Sequence, residues 1–91
     1  MINISKVKYL FGFYRTNIEY WIPIGDITIS QEFQLSKPNF NKVCRKDKIF
    51  KKTGKMSKII LNKDFVLTDG YISYLLYKSY GMDKVPVYFE D

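Results

Sequence analysis

The chain has 91 residues, 46% of them apolar and 18% aromatic, with a formal net charge of +6, no histidine and a single cysteine. One domain fits this length, and the apolar share excludes an intrinsically disordered chain. Without histidine there is no Ser-His-Asp or Cys-His nucleophilic machinery and no His-ligated zinc, and Cys44 alone makes neither an internal disulfide nor a Cys-rich metal site.

In chain order, Tyr9 to Tyr14 (YLFGFY) is aromatic-rich and reads as a strand, the heart of an aromatic N-terminal extension over residues 1–19. Arg15-Thr16-Asn17 is a turn. Glu19 to Ile24 reads as an edge strand, because Pro23 lacks the N–H that an interior strand donates. In Asp26 to Ser30, Ile27 and Ile29 alternate with Thr28 and Ser30, the period of a half-buried strand. Ser36 is an N-cap candidate and Pro38 is tolerated in a first turn, so a helix is expected from there to just before Thr53-Gly54. Its apolar face would be Phe40, Val43, Cys44 and Phe50, which makes Cys44 core filler. Ser57 to Leu61 and Phe65 to Thr68, joined by Asn62-Lys63-Asp64, form a hairpin. Asp69 is placed to cap a second helix, Tyr71 to Tyr80, closed by Gly81, with Ile72, Leu75, Leu76 and Ser79 on one face and Tyr71, Tyr74 and Tyr77 beside it. Val85 to Phe89 is the last strand. The expected class is α+β: a single domain over 1–91 with a small mixed sheet and two main helices.

The charge is unevenly placed. Residues 37–63 hold ten basic groups (Lys37, Lys42, Arg45, Lys46, Lys48, Lys51, Lys52, Lys55, Lys58 and Lys63) against Asp47 alone, a net of +9. The rest of the chain holds five basic and eight acidic groups, a net of −3. Such asymmetry fits a polyanionic partner; a solvated lysine face is the alternative. Lysine binds phosphate as a point charge and reads bases poorly, so nucleic acid would be held with weak sequence preference. Arg45, Lys51, Lys52, Lys55 and Lys58 are the expected nucleic-acid contacts.

Other motifs exclude more than they assign. Thr53-Gly54-Lys55 is not a phosphate loop, since Ile49 and Met56 stand where that motif needs Gly and Ser or Thr. Asp64 and Asp69 read as a turn residue and a helix cap rather than a metal pair, because residues five apart on a strand point to opposite faces. The helical tyrosines either stack on bases or fill the core. The junction at Asp69, Gly70, Tyr71 and Ser73 offers backbone N–H groups at a helix start, where a phosphate is welcome unless Asp69 consumes the donors.

The run Val66-Leu67-Thr68-Asp69-Gly70-Tyr71-Ile72-Ser73, with the helix to Gly81 and the Val85-Pro86-Val87 strand beyond it, resembles the C-terminal half of a ParB/sulfiredoxin-type domain. Trp21-Ile22-Pro23-Ile24 with Asp26-Ile27 is similar to that superfamily's opening strand, so the likeness covers about residues 20–89. The resemblance implies a strand running into a Gly-x-x-Arg box at a helix start. Here the box keeps Gly70 but has Ser73 for its arginine, Ile72 beside it, and Tyr71 where sulfiredoxin carries its reactive cysteine. Sulfiredoxin activity is therefore not expected, and the charge-assisted phosphate clamp is missing.

These readings lead to a non-catalytic, ParB-like nucleic-acid-binding domain using residues 37–63, with no cofactor. One alternative is a domain that binds or weakly hydrolyses a nucleotide, with magnesium, its phosphate at Asp69, Gly70, Tyr71 and Ser73. Another is a protein-interaction module, a homodimer included, using aromatics of residues 9–21. No stretch approaches the ~18 apolar residues of a membrane helix, no signal-peptide core is present, and the cysteine usage fits the cytoplasm.

Overall fold

The computed structural model describes residues 14–90. Most of the strand expected at Tyr9 to Tyr14 lies outside these residues. The elements are β1 (Tyr20–Pro23), a single 3-10 turn (Ile24–Asp26), α1 (Gln31–Leu35), α2 (Phe40–Thr53), β2 (Ile59–Leu61), β3 (Leu67–Asp69), α3 (Tyr71–Ser79) and β4 (Lys84–Phe89). The four strands form one mixed sheet in the order β1-β4-β2-β3. β4 runs antiparallel to β1, with Ile22 opposite Val85, and parallel to β2, with Ile59 opposite Val87. β2 and β3 form the antiparallel hairpin. The class is the expected α+β domain with a small mixed sheet, with α1 as an additional short helix. Pro23 lies in the edge strand β1.

Strand alternation sets the core. Ile22, Val85, Val87, Phe89, Ile59 and Leu61 are buried and share one face of the pleat. Each such side chain withdrawn from water contributes roughly 1.5–3 kcal/mol. Phe65 and Leu67 enter the same cluster from the hairpin, and Tyr74 and Tyr77 enter from α3. The opposite face carries Trp21, Pro86, Tyr88 and Ile60, all more accessible.

Several elements differ from the sequence expectation, each for a local reason. Ser36 does not start α2. A helix capped there would need Lys37 in helical conformation just before Pro38, which the proline ring disfavours. Asn39 is the N-cap instead, its Oδ1 accepting from the Lys42 N–H at 3.1 Å, while Ser36 closes α1 by donating its hydroxyl to the Phe33 carbonyl at 2.6 Å. α1 itself was not expected from periodicity. It is one turn long, capped by Ser30, whose Oγ accepts from the Phe33 N–H at 3.3 Å. Residues 26–30 are not a strand of the sheet. They give only an isolated parallel bridge, Thr28 to Val66, although Ile27 is buried as the alternation requires. The return strand of the hairpin starts at Leu67, not Phe65. The Asn62 side chain accepts from the N–H groups of Asp64 (2.9 Å) and Val66 (3.0 Å), which prolongs the turn, and Phe65 sits at φ 62, outside strand geometry.

α2 buries no residue fully, and Phe40, expected on its apolar face, is 77% exposed at the helix's first turn. On α3 the buried face is Ser73, Tyr74, Leu76 and Tyr77 rather than the Ile72 to Ser79 stripe. Tyr74 and Tyr77 thus belong to the core, and Tyr71 packs its ring on Phe33 at 5.1 Å between centroids.

Candidate functional site

The basic residues of α2 do not all point one way. Lys42, Arg45, Lys46 and Ile49 follow the i, i+3, i+4, i+7 spacing of one helical face. With Lys55, Met56 and Ser57 from the segment leading to β2, they line a cavity of about 450 Å³ that no carboxylate borders. Four cations thus ring an apolar floor of Ile49 and Met56. The Lys46 ammonium donates to the Ser57 hydroxyl at 2.7 Å, tying α2 to the start of β2.

A second cavity, of about 430 Å³, adjoins the first and shares Lys42 and Lys46 with it. Glu32 and Phe33 of α1, Ser36 to Asn39, and Asp69 to Ser73 complete its lining. The start of α3 lies in that wall. Asp69 does not cap the helix as expected, because its Oδ1 accepts only from the Gly70 N–H, at 2.8 Å. The N-cap is Gly70 itself, with φ 86 and no side-chain cap bond, so the first-turn N–H groups of α3 are not consumed by a side chain. Ser73 in that turn is 0% exposed, and its Oγ has no hydrogen-bond partner. A buried hydroxyl without a partner carries an uncompensated desolvation cost of about 1–3 kcal/mol.

Gly70 is also fixed by packing. A Cβ there would overlap the Lys58 carbonyl oxygen and lie 2.8 Å from the Ile59 Cα. The close neighbour is the backbone at the start of β2.

Of the five residues expected to contact nucleic acid, Arg45 and Lys55 meet at the cationic cavity. Lys51 is paired with Asp47 at 3.1 Å along the helix. Lys52 is exposed and lines neither cavity. Lys58 lies on the sheet side, its ammonium 4.5 Å from the centroid of the Tyr88 ring. Lys42 and Lys46 were part of the basic segment but were not singled out, and their helical spacing with Arg45 is the signal that identifies them. Asp69, Gly70, Tyr71 and Ser73 all line the second cavity. Of the aromatics expected on a partner surface, Trp21 is 57% exposed, while residues 9–13 lie outside the described residues.

Burial, with the Glu19 charge as the smaller cause, raises the Tyr77 hydroxyl above its ordinary pKa. Among the described residues no group of three or more His, Cys, Asp or Glu is placed to hold a metal ion, and no helix is long and apolar enough to cross a membrane.

No family model matches the sequence, and no curated protein does. Solved structures do. The pNOB8-like ParB N-domain is similar in its C2221 crystal form at 23% identity and a TM-score of 0.67, and in another structure at 25% identity and a TM-score of 0.64. Each match covers 81% of this chain but only 30% and 28%, respectively, of the solved chains. The order of strands and helices and the Gly70 junction reproduce what the Val66 to Val87 resemblance implies, and the chain has the fold of a ParB N-domain.

Proposed function

We propose that the domain binds nucleic acid through phosphate contacts on the exposed face of α2, without catalysis. The observation that carries this reading is the ring of Lys42, Arg45, Lys46 and Lys55 around one cavity with no carboxylate in its lining. Four cations held by one helix face and the adjoining segment concentrate positive potential where a phosphodiester backbone can lie. Lysines predominate, so the contacts position a strand rather than read its sequence.

Fluorescence anisotropy with labelled single-stranded and duplex oligonucleotides tests the reading. With four phosphates neutralised, raising salt from about 50 to about 200 mM weakens binding roughly 50-fold for a single strand and roughly 150-fold for a duplex. Replacing Arg45 and Lys55 by Gln removes about half of that salt dependence. No binding of either oligonucleotide at low salt overturns the reading.

A second reading is supported by one specific observation, the partnerless Ser73 hydroxyl beside the uncapped start of α3. It is a nucleotide held by its phosphates at Gly70 to Ser73. Calorimetry with nucleoside triphosphates and magnesium tests it. Heat of binding that Ser73→Ala reduces supports the reading, and a flat titration excludes it. Gly70→Val is unsuited to this purpose, because the backbone of Lys58 and Ile59 leaves no room for the added side chain.

A further inference from the structure

We propose that the two adjoining cavities form one track for a single strand that ends in a phosphate monoester, with the terminal phosphate at the start of α3 and the following phosphodiesters along α2. The inference rests on the nucleic-acid reading of α2 above and adds to it the kind of strand and the place of its end.

Continuity is the first observation. Lys42 and Lys46 line both cavities, one helical turn apart, about 6 Å along the axis. That rise is comparable with the separation of successive phosphates in an extended strand. A ligand leaving the cavity at the start of α3 past these two lysines enters the α2 cavity, bordered by Arg45 and Lys55 with no acidic group.

The second observation is the chemistry at the far end. The start of α3 presents N–H groups that no side chain caps, at the positive end of the helix dipole. Ser73 lines this end, fully buried, with an Oγ that donates to nothing. Several donors at one helix start, lining one cavity, suit a group with three terminal oxygens and a charge near −2, which is a phosphate monoester rather than a diester.

The third observation is the distribution of acids. Glu32 and Asp69 border the cavity at the start of α3, against Lys37 on that side. A diester chain continuing outward there would meet two carboxylates, whereas the way past Lys42 and Lys46 meets only cations. A phosphate seated at α3 therefore has one favourable exit, as the end of a chain has. A cavity of about 430 Å³ also has room for one nucleotide unit.

The experiment is competition anisotropy with short single-stranded oligonucleotides of one sequence, bearing a 5′-phosphate, a 3′-phosphate or hydroxyls at both ends, and with the 5′-phosphorylated duplex. The full chain is compared with Ser73→Ala and with Lys37→Gln, an exposed residue outside the core. One of the single-stranded monoesters is expected to bind about tenfold tighter than the hydroxyl-ended strand, the yield of one charge-assisted hydrogen bond, and tighter than the duplex. Ser73→Ala and Lys37→Gln shrink that preference while the hydroxyl-ended strand keeps its affinity. Measurable but equal binding of all three single strands overturns the inference and leaves the α2 reading standing. A preference undiminished in both variants overturns the placement of the phosphate. Failure of every oligonucleotide to bind at low salt overturns the α2 reading itself.

Discussion

Replacing Gly70 by Ala tests how the junction between β3 and α3 is held. The residue has φ 86, in the left-handed region, where an L side chain costs about 1–2 kcal/mol. The added Cβ would also overlap the Lys58 carbonyl oxygen and lie 2.8 Å from the Ile59 Cα, both backbone atoms that cannot swing aside like a side chain. Forcing such a contact into a packed region costs about 1–3 kcal/mol more, for a total of about 2–5 kcal/mol. Against the 5–14 kcal/mol or so typical of a chain this long, that is a large fraction. Urea denaturation followed by far-UV circular dichroism measures the loss directly. Two glycines serve as controls. Gly54 has φ 72 but nothing within 4 Å of its would-be Cβ, so Gly54→Ala loses only the backbone share, about 1–2 kcal/mol. Gly25 has neither feature, and Gly25→Ala stays within about 0.5 kcal/mol of the parent. The order Gly70, Gly54, Gly25 is the prediction. A Gly70→Ala protein no less stable than Gly54→Ala would refute the packing argument.

The remaining predictions concern single polar groups. Because the Ser73 hydroxyl is buried without a partner, Ser73→Ala leaves the free protein as stable or raises its stability by up to about 1 kcal/mol in thermal melting; a clear loss would mean that the hydroxyl is bonded. Tyr77 holds its proton more tightly folded than unfolded, since burial and then Glu19 raise its pKa. Its stabilising contribution is present below the unfolded tyrosine pKa and is lost as pH rises through the folded one. Melting temperature should therefore fall more steeply above about pH 10 for the parent than for Tyr77→Phe, and parallel curves would contradict this. Lys51→Gln, which removes the exposed end of an i, i+4 pair with the half-buried Asp47, lowers stability by no more than about 1 kcal/mol.

The sheet is more legible in the sequence than the site. Alternation and turn residues place β1, β2, α3 and β4 within a few residues, because Pro23, Asn62 and Gly81 act locally and their effects are visible in one dimension. The features that are not legible depend on choices between neighbours. Ser36 and Asn39 both cap helices well, and only the restriction that Pro38 imposes on Lys37 decides between them. Asp69 looks like a cap until its carboxylate is seen on the Gly70 N–H. The tyrosines of α3 are amphipathic, and whether they face bases or the core depends on the roll of the helix over the sheet, which periodicity alone does not fix. The basic segment was legible as a net charge, but its partition was not. Only the fold sends Lys58 to the Tyr88 side of the sheet and gathers Lys42, Arg45, Lys46 and Lys55 at one cavity.

Amide chemical-shift mapping by NMR reads out residue by residue whether nucleic acid lies on the exposed face of α2, as proposed. On titration with a hydroxyl-ended single-stranded oligonucleotide at low salt, the largest shifts are expected on Lys42 to Ile49 and on Lys55 to Ser57. Shifts centred instead on Trp21, Pro86 and Tyr88, or spread evenly over every lysine, would contradict that placement.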